Sequence, residues 1–437
     1  MINYRLNSFL PGGGIFCAFV SIASLLFPVS RALAVEGLTL PKKDAPVITV
    51  GGPNADIPAY TSRAIQTAID ALRDGKAGTV RLGAGVFEIS APVRVYSGIS
   101  LAGSGESTVL RKIDGIKTNF VIDADYGMLK ATVKDAAGFK TGMGIYLYDD
   151  KFKNDCWGPT TGRITSIAGN VIYFDTYLVQ DYIAALNGVI SNACSIVEVM
   201  EAEDVRLADF MVDGNGSANE SMTGCRGGGV YIHKSRNVLV EGVAVRHFNG
   251  DSFSWQITEN ITMRNCEAAD GSNLGFHPGT GSDHSIVENC RSHDNGGDGI
   301  FLCWRVQNGI FRNNEVYSNG QYGISIGHKD TDNVFENNRV YENKNHGVYF
   351  RDENEENAGH RNRFTGNIVE NNGAPGQKAW GFYIDGRTHD IAIEGNTIRS
   401  TGKGNQAGAI YIGVKASRIS EKNNTISGHP GVGKANP

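Results

Sequence analysis

The sequence is short of proline, with 12 residues against 56 glycines, and only 20% of it is charged. That scarcity excludes polyproline and collagen-like chains, and a hydrophobic content of 41% excludes a disordered one. Positive charge is not in excess. The net charge is −5, and 41 basic residues become 39 against 46 acidic once Arg5 and Arg31 leave with a cleaved leader. Such a balance argues against a nucleic-acid partner. Cysteine is sparse and has no CxxC spacing. Cys17 would leave with the leader, and for Cys156, Cys194, Cys225, Cys266, Cys290 and Cys303 free buried thiols are the expected state of most.

Long apolar runs are missing as well. Residues 15–29, interrupted by Pro28, fall short of the roughly 18 apolar residues a bilayer span requires. With Arg5 before this run and Ala32-Leu33-Ala34 after it, residues 1–34 read as a removable export signal. The protein is therefore expected to be secreted or periplasmic, with no membrane association after cleavage. Residues 35–58 read as a linker.

What the chain does have is repetition. Small or turn-type residues open apolar strands at Gly229, Asp251, Gly275, Gly299, Gly323, Gly347, Gly381 and Ala409, at steps of 22, 24, 24, 24, 24, 34 and 28. A second register runs through Cys266, Cys290, Asn314, Asn338, Asn367, Asn396 and Asn424, and a third through Asn295, Asn319 and Asn343. Asparagines recurring once per coil can hydrogen-bond along a column at the strand spacing of about 4.8 Å, which helical repeats do not explain. The period predicts an all-β fold, a right-handed parallel β-helix solenoid with coils of about 24 residues spanning 194–428, followed by a tail over 429–437. Within 59–125, residues 61–72 predict an amphipathic capping helix with Ala64, Ile65, Ala68, Ile69 and Leu72 on one face, and the first coils follow. Residues 126–193 break the period and read as a β-rich insertion.

The segment Gly-Thr-Val-Arg-Leu-Gly-Ala-Gly-Val-Phe-Glu-Ile (78–89) resembles the entry of the pectate-lyase-like superfamily. Gly275-Phe276-His277-Pro278, followed by His293-Asp294-Asn295-Gly296-Gly297-Asp298-Gly299, resembles mannuronan C5-epimerases, with His277 in place of that family's Asp, Gly279 in place of its His, and Leu274 in place of its catalytic Tyr. Gly297-Asp298-Gly299 and Tyr322-Gly323-Ile324-Ser325-Ile326-Gly327 resemble the polygalacturonase type of glycoside hydrolase, without its second Asp and its His. These likenesses imply a polysaccharide or oligosaccharide partner.

Strand alternation sorts the candidate residues. Counting two places from each opening residue puts Tyr231, Phe253, His277, Phe301, Ser325, Tyr349, Tyr383 and Tyr411 outward, an aromatic platform for sugar rings. Further outward positions are Trp255, Trp304, Arg305, His328, Lys329, Asp330, Arg351, Asp352 and Asp385; stacking of Arg305, Lys329 and Arg351 predicts a cationic ladder. His277, Asp298, His328, Tyr349 and Arg351 are the candidate catalytic residues. Asp251, Trp255, Phe301, Trp304, Arg305, Lys329, Asp330, Asp352, Tyr383 and Asp385 are the candidate substrate-binding set. An outward imidazole suits proton abstraction beside a sugar carboxylate, the step shared by lyases and C5-epimerases. The alternatives are a glycoside hydrolase using two of Asp251, Asp298, Asp330, Asp352 and Asp385, and a noncatalytic carbohydrate-binding solenoid. No metal centre or cofactor is expected, although the acidic loop after Asp352 leaves room for a structural or substrate-bridging calcium ion.

Overall fold

The computed structural model describes residues 45–75 and 77–429, together with the backbone of 432–434. The expected export signal lies outside the described residues, as do 35–44 of the expected linker and the end of the tail; the rest of that stretch is not a linker, because Val47–Val50 pairs in parallel with Gly78–Leu82 and buries Val50 in the core. Among the described residues, no helix is long and apolar enough to cross a membrane.

The strands are too short to be stable alone, and many have three residues, such as Ile286–Glu288, Ile310–Arg312 and Val334–Glu336. Each satisfies its backbone by parallel pairing with the next coil, with Val287, Phe311 and Phe335 in register. Repeated around the coil, this pairing builds one eleven-stranded parallel sheet and one longer parallel sheet of 21 strands, and the chain winds as a right-handed parallel β-helix. Inward side chains stack on their own kind: the Phe311 and Phe335 rings are 4.8 Å apart and those of Phe335 and Phe364 4.6 Å apart, close to the strand spacing. One corner recurs at Asn289, Asn313 and Asn337 with φ near +55° (54°, 56°, 54°), the left-handed region that asparagine tolerates best among residues with a side chain.

The asparagine columns form as the spacing predicts. Asn314 Nδ2 donates to Asn338 Oδ1 (2.9 Å), Asn338 to Asn367 (3.0 Å), Asn367 to Asn396 (2.9 Å) and Asn396 to Asn424 (3.1 Å). The other column runs Asn295, Asn319, Asn343, Asn372 and ends on Gln406. Buried turns thereby keep their polar groups paired.

The helix Ser62–Arg73 begins at Thr61, whose side chain accepts the Ala64 N–H at 3.2 Å, and buries Ala64, Ile65, Ala68, Ile69 and Leu72 against the first coil. The chain leaves the solenoid after the strand Ile99–Lys112 and returns at Val197–Met200. Between them lies the β-rich insertion, a six-stranded antiparallel sheet with its own core of Ile145, Ile164, Ile172 and Phe174. It starts earlier than the loss of period suggests, because Lys117–Asn119 pairs back onto Val189–Ser191.

One coil departs from the expected register. Val230 pairs with Phe253 and Phe253 with Phe276. The opening residue is thus Ser252 rather than Asp251, and two steps of 23 residues replace 22 and 24. A shift of one residue inverts a strand. Phe253 and Trp255 consequently point inward and are fully buried, with the Trp255 indole donating to Ser285 Oγ at 2.9 Å. Trp255 is a core residue, not a sugar platform.

Candidate active site

On the eleven-stranded sheet the corrected outward row reads Ser254, His277, Phe301, Ser325, Tyr349, Tyr383 and Tyr411. Two residues further along each strand a second row runs Gln256, Gly279, Cys303, Gly327 and Arg351. Gly279 matters here for what it lacks, since a Cβ would collide with the Gln256 side chain that lies across it.

His277 stands on the strand Phe276–Gly279 and donates from Nδ1 to Asp251 Oδ2 at 2.6 Å. Gln256 Nε2 lies 3.4 Å from its Nε2. Burial works to lower the pKa of this imidazole, but the hydrogen bonds to Asp251 and Cys303 and the Asp251 charge outweigh it and raise the value to about 10. His277 is therefore a cation at neutral pH. Asp251 is fixed in turn by Asn273 Nδ2 (2.7 Å) and the Leu274 N–H (3.2 Å).

Contrary to the expectation of an open imidazole, His277 is only 3% exposed. The sheet does not cover it; a roof does. Gly224 lies directly over the pair, where a Cβ would overlap the Asp251 carboxylate and stand 2.6 Å from His277 Nδ1, and its carbonyl accepts from Ser254 Oγ at 2.6 Å. The insertion holds this roof in place: Arg226 Nε donates to the Trp157 carbonyl at 3.1 Å, and its guanidinium lies 5.1 Å from the Trp157 ring centre.

Beyond Phe301 the row becomes a polar chain. His277 meets the Phe301 ring edge-on at 5.4 Å, and the Arg351 guanidinium lies 4.7 Å over the same ring. Arg351 donates to Ser325 Oγ (2.8 Å), to the Leu302 carbonyl (2.6 Å) and to Asp330 (3.1 Å). Burial pushes Asp298 up to about 6 against the Tyr322 N–H and the Arg351 charge. Asp330 is also raised to about 6 by burial, but it is spent on the Val306 and Gly327 N–H groups and Arg351.

The cationic ladder does not form. Arg351 belongs to the row of Cys303 and Gly327, whereas Arg305 and Lys329 sit in turns with left-handed backbone, φ 64° and 70°. Lys329 rests 5.9 Å over Trp304, whose ring is 5.1 Å from that of His328. His328 Nε2 pairs with Glu353 Oε1 at 2.7 Å, and burial together with the Arg351 charge lowers its pKa. Asp352 is exposed and pairs with Lys415 at 3.0 Å, and Asp385 accepts the Gly386 N–H at 2.9 Å. Neither reaches the His277 pair by any of these contacts. The tyrosines do stack: Tyr322 on Tyr349 at 4.2 Å and Tyr383 on Tyr411 at 4.4 Å, all half-buried.

Cys303, Gln256, Cys225 and Cys156 were not among the expected site residues. The corrected register would have found Gln256, whereas Cys156 and Cys225 come from irregular segments that no periodicity places. Glu355, His360 and His389 bring potential ligand atoms within 4.8 Å of one another. However, His360 Nε2 donates to the Glu355 carbonyl (2.9 Å) and its Nδ1 accepts the His389 N–H (3.3 Å), so that imidazole keeps no lone pair for a cation. A depression of about 750 Å³ lined by Glu201, Arg236, Glu259 and Asp283 contains none of the candidate residues.

Residues 211–364 match a family model described as a right handed beta helix region. No curated protein sequence matches the chain. Among solved structures, the A-module of the Azotobacter vinelandii mannuronan C-5 epimerase AlgE6 superposes with a TM-score of 0.56 at 18% identity, over 87% of this chain and 100% of its own. The AlgE4 A-module of the same organism gives 0.54 at 19% identity, over 86% and 94%. The Streptococcus pneumoniae surface protein and adhesin PfbA gives 0.50 at 14% identity, over 85% and 95%. At such identities the likeness is one of fold. By its strand pairing, its repeat and these comparisons, the chain is a right-handed parallel β-helix protein.

Proposed function

We propose that this outward face is the active site of an enzyme acting on a uronate-bearing polysaccharide, by proton transfer at the carbon beside the sugar carboxylate. The observation that carries the reading is the unbroken row from Ser254 to Tyr411, which joins a charged His–Asp pair to a run of tyrosine faces. Sugar rings lie on Tyr349, Tyr383 and Tyr411. His277, a cation at neutral pH, serves as proton donor rather than as the base that its residue type suggested, and Asp298, held near 6, is the acceptor. Arg351 answers the sugar carboxylate. Hydrolysis by paired Asp fits less well, because Asp251 already accepts three hydrogen bonds and Asp330 is capped.

The burial of His277 and Asp251 favours a second reading, in which the tyrosine strip binds a glycan and no chemistry follows. One experiment separates the two. The protein is incubated with uronate-containing and neutral polysaccharides, and products are followed by ultraviolet absorbance, reducing ends and mass. An unsaturated product marks elimination, and an altered sugar configuration at unchanged chain length marks epimerisation. Saturable binding without product supports the second reading, and cleavage of a neutral glycan with every uronate polymer untouched overturns the first.

A further inference from the structure

A column of turn residues runs beside the outward row. In successive coils it reads Asp251, Leu274, Asp298, Tyr322, His346 and Trp380, and from Leu274 on the carbonyl of each accepts the N–H that follows its counterpart in the coil before. Every second member also caps its successor with its side chain. Asp251 Oδ1 accepts the Leu274 N–H at 3.2 Å, Asp298 Oδ1 the Tyr322 N–H at 3.0 Å, and His346 Nδ1 the Trp380 N–H at 3.0 Å. His346 thus takes the place that carboxylates hold two and four coils earlier. The amide fixes its tautomer, because a ring nitrogen that accepts carries no proton and a neutral imidazole then bears its hydrogen on Nε2. Burial keeps the ring neutral, lowering its pKa from 6.5 to about 4. Nε2 itself has no partner among the described residues and is not closed off from solvent. Around the ring stand the tyrosines: it stacks on Tyr383 at 4.4 Å and on Tyr322 at 5.7 Å, and tilts against Tyr349 at 5.8 Å.

We propose that His346 is a glycan-binding residue of the tyrosine strip: its Nε2–H donates to an oxygen of a uronate unit laid against Tyr349 and Tyr383, while its Nδ1 holds the Trp380 turn. The inference rests on the reading of this strip as the polysaccharide site. The residue type meets two demands at once. An aspartate in this position would cap Trp380 as Asp298 caps Tyr322, but it would set a carboxylate against the carboxylate of the sugar, and like charges facing each other cost affinity. A neutral imidazole gives the turn its acceptor, adds no negative charge and supplies a donor for an anionic ligand. None of the contacts of His346 reaches His277 or Asp298, so its part is in binding and not in proton transfer.

The test uses the full-length protein with tetramannuronate and tetragalacturonate, reading affinity by calorimetry and the imidazole by long-range proton–nitrogen spectra of histidine-labelled protein near neutral pH. His346→Asn retains an acceptor for the Trp380 N–H and loses the Nε2 donor, His346→Asp adds a charge to that loss, and His346→Phe keeps a ring without either nitrogen. For variants that fold by circular dichroism, Asn and Phe should both weaken tetrauronate binding about two- to tenfold, the worth of one hydrogen bond. Asp should weaken it further, by a margin over Asn that shrinks as salt is added. In the wild type the spectra should show the Nε2–H tautomer, with that signal moving when the tetramer binds. Wild-type affinity in either the Asn or the Phe variant, an Nδ1–H tautomer, or a His346 signal unmoved by a bound tetramer would each overturn the inference while leaving the strip as the glycan site. A wild type that binds neither tetramer overturns the reading of the strip and this inference with it.

Discussion

Asp251 and His277 are 26 residues apart in the chain and 2.6 Å apart in the fold, carboxylate to Nδ1. The pair straddles two coils: Asp251 ends a turn one coil below, and His277 stands in the middle of the next strand. Asp251→Asn keeps the shape and removes the charge that holds the proton. The His277 imidazole should then titrate at lower pH, which its carbon-bound proton resonances report. Turnover of a uronate polymer should fall by about 10²–10⁴-fold, the usual worth of a positioned proton donor.

The same pair sets a pH window for stability. Its folded pKa of about 10 lies above the ordinary histidine value near 6.5, so its contribution is full below that ordinary value and disappears as pH rises through about 10. The groups facing the ring are Asp251, Cys303 and Gln256, with the Cys156 charge further off. In urea titrations from pH 6.5 to 10, the stability difference between wild type and His277→Gln should shrink steadily; a difference independent of pH would show that the imidazole is not charged.

Asn338 donates to Asn367 and to the Phe311 carbonyl and accepts from Asn314. Asn338→Ala should destabilise the solenoid by about 1–3 kcal/mol, the cost of stranding buried partners, measured by denaturant unfolding. The half-buried turn residue Asn345, outside the columns, should cost far less when changed in the same way.

Trp255 and Tyr349 were both expected to carry sugar, and the fold separates them. Trp255→Ala should cost about 3–5 kcal/mol as a core truncation. Tyr349→Ala should leave unfolding nearly unchanged and weaken polysaccharide binding by a few-fold, in line with about 0.5–1.5 kcal/mol for a stacked aromatic contact. Calorimetric unfolding together with glycan-affinity measurements distinguishes the two.

The solenoid, the asparagine columns, the capping helix and the outward row from His277 to Tyr411 were legible in the sequence, because a strand shows its faces through a period of two and a coil its neighbours through a period of 24. Side chains at equal depth in successive coils must meet, and local composition suffices to say so. Trp255 was misplaced because its strand opens at Ser252 rather than Asp251, two steps of 23 residues standing where 22 and 24 were read, and a slip of one residue inverts a strand without altering its composition. The roof over His277 left no trace in any period: Gly224, Cys225, Cys156 and Trp157 lie in irregular segments whose positions depend on packing between the insertion and the sheet. Which residues line the face from His277 to Tyr411 was thus written in the chain, whereas the shielding of His277 and the charge on it were decided by tertiary packing, since burial and electrostatics depend on everything nearby in space.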